Sequence, residues 1–173
     1  MVEAEIARIG FTKRRRILVD CEKFRHTNGD VLTIFPFTYF LNTKQSFLEE
    51  CGGVAKLFDT FAALHAVSVT RGGERGAVLF RRSSEGEEEE EVEKECCEGM
   101  ALRAEEVVDT IGCGDAFVAA IGFQLLRGGG TSFDLQFCND YASLKCLKES
   151  NHGLLSLDEF KVEMKKRERK KGK

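Results

Sequence analysis

Two glycines and two aspartates fall within seven residues of one another in the stretch Val107-Val108-Asp109-Thr110-Ile111-Gly112-Cys113-Gly114-Asp115-Ala116-Phe117. Glycines at 112 and 114 let the backbone turn sharply and approach a ligand with no Cβ in the way. The apolar residues before them read as a strand and those after them as an amphipathic helix, whose first N–H groups have no intrahelical partner. Such amides, with the positive end of the helix dipole behind them, favour a phosphate and would stabilise charge on a phosphoryl group in transfer. Asp115, at the mouth of that turn, is suited to take the proton of an attacking alcohol. Glycine turns also lead into helices for packing reasons alone, so the turn by itself leaves both readings open.

The elements that must hold this segment follow from periodicity. Residues 2–10 read as a short helix, and Arg16-Ile17-Leu18-Val19-Asp20 as a buried strand ending in an acid. Asn28-Gly29-Asp30 is a turn signal, and Val31 to Phe40, broken by Pro36, reads as loop plus short strand. Apolar residues between Ser46 and Leu64 recur at helical spacing, with Gly52-Gly53 placed to divide them into two helices. Ala66–Thr70 and Ala77–Phe80 read as a strand and a returning strand around the glycine-bearing segment 71–76. Residues 83–98 are dominated by glutamate and read as a solvated insertion. Gly114–Leu126 and Ser132–Leu147 carry helical stripes joined by glycines at 128–130, and a last helix begins near Leu157. This alternation predicts an α/β fold, with a mostly parallel sheet flanked by helices.

Composition narrows the class. The chain has 173 residues, 42% of them hydrophobic, enough for one core. Its net charge of -3 conceals an acidic run at Glu85–Glu95 and a basic tail at 161–173. That tail lacks the interleaved aromatics of a nucleic-acid platform and reads as a solvated helix end, so no nucleic-acid partner is expected. Seven cysteines without framework spacing point to a reducing compartment, cytoplasmic or organellar. No apolar run is long enough to span a bilayer, and no membrane partner is expected. The histidines at 26, 65 and 152 are far apart in sequence and pair with no Cys-x-x-Cys, which argues against structural zinc. His65 reads as a capped or partly buried residue at a helix end. Cys113, among helix-N-terminal amides, is expected to have its thiolate favoured and to be oxidation-sensitive.

The full string Asp-Thr-x-Gly-x-Gly-Asp-x-Phe resembles the C-terminal signature of the pfkB carbohydrate kinases, a family that includes ribokinase, fructokinase, ketohexokinase and adenosine kinase. The resemblance implies that Asp115 is the catalytic base and that Gly112, Cys113 and Gly114 form the anion hole, with Asp109 and Thr110 supporting the triphosphate region. Thr70, Gly72, Gly73 and Gly76 resemble the family's nucleotide loop, with one residue more than the usual Thr-x-Gly-x-x-Gly. Asn42 falls where the family has Asn-x-x-Glu, linked to magnesium and phosphate, but Gln45 replaces the glutamate. A neutral amide is a poorer partner than a carboxylate for magnesium's water shell, which weakens or alters the expected metal dependence. Asn139 is similar to the adenine-pocket asparagine, and Gly153 lies near the turn closing that pocket.

The resemblance implies a ribokinase-like, partial fold over residues 1–160, with the tail 161–173 outside it. It implies ATP and Mg2+ as cofactors, a sugar or related alcohol as acceptor, and admits a homodimer. The family's Gly-rich sugar-binding half and strand lid have no counterpart in these residues. A truncated or degenerate homologue that binds nucleotide or a partner subunit without catalysis is therefore the second expectation.

Overall fold

The computed structural model describes residues 16–21, 38–82, 92–127, 133–149 and 154–171. The helix expected at 2–10, the turn at 28–30, Pro36, most of the acidic insertion and Gly153 lie outside them. The chain forms two compact units, Met1–Cys97 and Glu98–Lys173.

The first unit is built on a five-stranded sheet in the order β1 (Leu18–Cys21), β2 (Phe40–Lys44), β3 (Ala66–Thr70), β4 (Ala77–Arg82) and β5 (Val92–Cys97). The first three strands run parallel, whereas β4 and β5 are each antiparallel to their predecessor. The sheet is therefore mixed, not mostly parallel. The reason is local: only the short segment 71–76 joins β3 to β4, too little chain for the crossover that a parallel pair needs.

Between β2 and β3 the chain forms two short helices, α1 (Gln45–Glu50) and α2 (Val54–Thr60). Gly52 and Gly53, with φ of 83° and 97°, make the break expected from the sequence, in a conformation glycine adopts without steric cost. Side chains alternate across a strand, so Leu41, Val67 and Val69 share one face, where they form a core with Phe47, Leu48, Leu57, Phe58 and Leu64. Arg82, at the end of β4, donates from Nε to the Leu64 carbonyl at 2.9 Å and from a terminal nitrogen to that of Phe58, tying the sheet to the end of α2.

The segment expected as a solvated insertion over 83–98 is shorter at its C-terminal side. Val92–Cys97 pairs with β4 from Ala77↔Cys97 to Arg82↔Val92. Pairing along a whole strand offsets the cost of ordering residues that composition alone assigns to solvent.

The second unit is helical, with α3 (Cys113–Arg127), α4 (Leu135–Lys145) and α5 (Leu157–Lys171). Ala116, Phe117, Ala120 and Ile121 of α3 are buried, as are Leu135, Cys138 and Leu144 of α4. Asp134 caps α4 by accepting the Phe137 N–H. Ser156 and Glu159 bond reciprocally at the start of α5, Glu159 taking the Ser156 N–H at 2.8 Å and Ser156 Oγ the Glu159 N–H at 3.3 Å. Helix α5 runs unbroken through the basic tail to Lys171, so it has no structural boundary at 161. Among the described residues, no helix is long and apolar enough to cross a membrane.

Candidate functional site

The segment before α3 is not a sheet strand, contrary to its apolar pattern. Ala104–Glu106 forms a 3-10 turn and residues 107–110 are irregular, because the N–H groups of Val108 and Asp109 donate to the Cys146 carbonyl at 2.8 and 3.2 Å and leave no strand ladder to form. The Asp109 carboxylate accepts the Ile111 N–H at 2.9 Å, a turn in which the side chain stands in for backbone. Gly112 then takes φ 79°, a left-handed conformation that costs a residue with a side chain about 1–2 kcal/mol. Helix α3 begins at the next residue.

This geometry sorts the amides of the turn. Ile111 is used by Asp109, Cys113 donates weakly to the Thr110 carbonyl at 3.3 Å, and Ala116 makes the first helical bond, to Gly112, at 2.9 Å. Among the described residues the N–H groups of Gly112, Gly114 and Asp115 have no protein acceptor. Gly112 immediately precedes a 15-residue helix, and Gly114 and Asp115 lie in its first turn, where dipole and unpaired donors together suit an anion. Asp115 and Gly114 are exposed, and Gly112 and Cys113 are half-buried. Of the three residues expected to form the anion hole, Gly112 and Gly114 keep free N–H groups, whereas the Cys113 N–H is taken by the Thr110 carbonyl; the Asp115 N–H is free in its place, beside an exposed carboxylate.

Cys113 departs from expectation. Burial, followed by its contact with the Cys146 thiol, pushes its pKa up to about 12, so the thiol and not the thiolate is favoured despite the helix terminus. The two sulfurs are 2.8 Å apart. Cys146, 33 residues away in sequence, also supplies the carbonyl that holds Val108 and Asp109. Its role in the turn had no local sequence signal, since only the packing of α3 against α4 brings it there.

Asn139 is buried and donates its side-chain amide to the Glu98 carbonyl at 3.0 Å, which anchors the start of this unit. It does not line the hollow of about 270 Å3 formed by Ala119, Ala120, Phe123, Phe137, Tyr141 and Leu157. Phe137 and Tyr141 stack on one another at one side of that hollow, Phe160 meets Phe137 edge-on and Tyr141 at a tilt, and the Tyr141 hydroxyl donates to the Leu155 carbonyl at 2.6 Å.

In the first unit, Thr70 ends β3 and its hydroxyl donates to the Thr43 carbonyl at 3.3 Å. The loop after it absorbs its extra residue as a 3-10 turn over Gly73–Arg75. Gly72 and Gly76 take positive φ on either side, and the Arg71 N–H closes the loop onto the Gly76 carbonyl at 2.9 Å. The hairpin register is thereby kept, with Thr70 opposite Ala77.

Asn42 lies in one cross-strand row with Asp20 and Ser68. Its amide nitrogen donates to Asp20 Oδ1 at 2.8 Å, and its oxygen accepts from Ser68 Oγ at 2.7 Å. The Gln45 amide donates to Glu49 at 3.0 Å on an exposed helix face. Asn42 is 4% exposed and both its polar atoms are engaged, so the geometry suits a strut in the sheet and does not suit a direct magnesium ligand. Among the described residues, no cluster of three or more His, Cys, Asp or Glu could hold a metal ion. His65 lies beyond the end of α2 and not at its terminus, in the stretch leading to β3. Its ring stacks on Tyr39 at 4.9 Å, and burial first, then Arg81, Arg16 and Arg82, lowers its pKa.

Comparisons with known proteins agree with this architecture. Ribokinase from Giardia lamblia superposes with a TM-score of 0.75 at 15% identity, over 94% of this chain and 54% of that one. Aminoimidazole riboside kinase from Salmonella enterica, solved with aminoimidazole riboside and an ATP analogue, gives 0.67 at 18%, over 92% and 55%. The nucleoside kinase of Burkholderia thailandensis, in complex with inosine, gives 0.66 at 18%, over 95% and 51%. The chain thus has the ribokinase-like fold and spans about half the length of these solved structures. No curated protein matches it in sequence. The family model for pfkB family carbohydrate kinases matches residues 41–155, which takes in β2 from its second residue, the 71–76 loop and the Gly112 turn together. With most of its length matched by that model, the chain belongs to the pfkB family of carbohydrate kinases.

Proposed function

We propose that this chain is the nucleotide-handling part of a kinase that transfers the terminal phosphoryl group of ATP to a hydroxyl of a sugar or nucleoside. The observation that carries the reading is the Gly112 turn, with unpaired amides at Gly112, Gly114 and Asp115 beside an exposed carboxylate. The acceptor's O–H proton passes to the Asp115 carboxylate as its oxygen bonds to phosphorus, and ADP leaves with the electrons of the broken P–O bond. Meanwhile the amides offset charge on the transferring group from fixed positions, with no reorganisation to make. Asp109 acts as a positioning residue through Ile111, and Thr110 stands exposed beside it. Magnesium, if carried by the triphosphate, would supply neutralisation of charge on the phosphate oxygens. The aminoimidazole riboside and inosine held by two neighbours favour a ribose-type hydroxyl as acceptor.

Thr70, Gly72, Gly73 and Gly76 supply the nucleotide loop of this proposal, and Asn139 and Gly153 its adenine side. Seven free cysteines accord with a reducing, cytoplasmic setting.

A second reading, nucleotide binding without catalysis, is favoured by Gln45, which stands where the family has a glutamate and turns its amide to Glu49. One experiment separates the two. Kinase assays against a panel of sugars and nucleosides are run beside ATP calorimetry on wild type and Asp115→Asn. The first reading expects ATP binding in both proteins, with turnover in wild type that falls ~10²–10⁴-fold in the variant. Binding without turnover in wild type selects the second, and equal turnover in the two proteins removes Asp115 as the base.

A further inference from the structure

The mechanism makes no use of the Cys113 and Cys146 thiols, yet their sulfurs lie 2.8 Å apart. We propose that Cys113 and Cys146 are a redox pair whose oxidation by a low-molecular-weight disulfide staples the Gly112 turn to the end of α4 and weakens anion binding there.

The backbone is already arranged for this bond. Cys146 caps α4, and its carbonyl receives the N–H groups of Val108 and Asp109, so the loop carrying Cys113 is docked on the residue it would join. Only the last approach of the side chains remains, from 2.8 Å to the roughly 2.05 Å of a disulfide. Both residues are half-buried and reachable by a small reagent, whereas Cys21, Cys97 and Cys138 are buried. Cys113 is the first residue of α3, between the two glycines of the turn, so movement of its sulfur is transmitted to the donors beside it.

The chemistry balances. Cys146, as thiolate, attacks one sulfur of the small disulfide and releases one small thiol. Cys113, as thiolate, then attacks Cys146 Sγ and releases the second. Two protein thiols are oxidised, one disulfide is reduced, and the two protons end on the departing thiols. Burial and the neighbouring thiol keep Cys113 protonated in the reduced pair. The second of these influences disappears once Cys146 is in a mixed disulfide, which lessens the hold on the Cys113 proton before the closing step. Cross-link formation is independent of the phosphotransfer reading, while its effect on anion binding rests on it.

The test incubates the full chain, carrying Cys96→Ser to remove the exposed competitor, with oxidised glutathione. Peptide mapping without reduction follows, then ATP calorimetry before and after dithiothreitol. The expected result is a peptide joining Cys113 to Cys146, absent in Cys113→Ala and in Cys146→Ala, with circular dichroism confirming that each variant is folded. ATP affinity should fall ~10-fold on oxidation, since a misplacement of about 1 Å can cost a positioned site ~10²-fold in rate, and return on reduction. Thiols at 113 and 146 that remain alkylatable, or that stop at glutathione adducts, overturn the pair; should Cys146→Ala not fold, Cys113→Ala serves alone. A cross-link that leaves ATP affinity unchanged overturns the switch but not the pair, and absence of ATP binding in the reduced protein overturns the functional reading instead.

Discussion

The Asp109 carboxylate holds the Ile111 N–H at 2.9 Å, and this one bond directs the chain into Gly112 and the start of α3. Because the acceptor is a side chain, it can be removed without altering the backbone chemistry of the turn. Asp109→Ala should lower stability by about 1 kcal/mol, the net worth of one such bond. It should weaken ATP binding as the free amides lose alignment. Asp109→Asn, which keeps an oxygen to accept the same N–H, should retain most of the affinity by calorimetry. Equal loss in both variants would mean that charge, not turn geometry, matters at this position.

The two glycines of the turn should respond in opposite ways. Gly112 has φ 79°, so Gly112→Ala should cost about 1–2 kcal/mol in urea denaturation. Gly114 lies within α3, so Gly114→Ala should gain up to about 1 kcal/mol of helix stability. Both should reduce ATP affinity, the first by bending the turn and the second by placing a Cβ among the donors. Unchanged affinity in Gly114→Ala would argue that the ligand does not approach the backbone there.

Asn42 links β1, β2 and β3 through Asp20 and Ser68, and removing it strands a buried hydroxyl. Asn42→Ala should cost about 1–3 kcal/mol of unfolding free energy. Ser68→Ala should cost less than Asn42→Ala, and the double variant less than their sum, because the two share a partner. Strict additivity in the denaturation cycle would show that the row is not a network.

His65 provides a pH handle on stability. Its folded-state pKa is depressed, so the unfolded chain binds the proton more readily. Its contribution is therefore fully present above the unfolded value near 6.5 and is lost as pH falls from there through the folded pKa. His65→Gln should flatten the fall in urea midpoint between pH 7.5 and 5. A slope identical to wild type would assign the acid sensitivity elsewhere.

The Gly112–Asp115 cluster, the division at Gly52-Gly53 and the three helices of the second unit were legible from residue order, because glycine conformation and helical spacing are local properties. The strand at 92–97 was not, since glutamates suggest solvent until a neighbouring strand offers them a ladder. Nor was the irregular path of 107–110, where an apolar run that scans as strand has its amides taken by a carbonyl at Cys146.

The sequence by itself determined the signature's chemistry: which residue carries the carboxylate, which glycines flank the turn and where the helix behind it starts. Tertiary structure alone decided that Asn42 spends its amide within the sheet and that Cys113 faces Cys146. Tertiary structure also decided that the Cys113 thiol stays protonated at the end of a helix that should favour its anion. The physical reason is range. Backbone conformation and helix polarity act over a few residues, whereas desolvation and hydrogen-bond partners are set by groups 20 or 30 positions away, brought close only by packing.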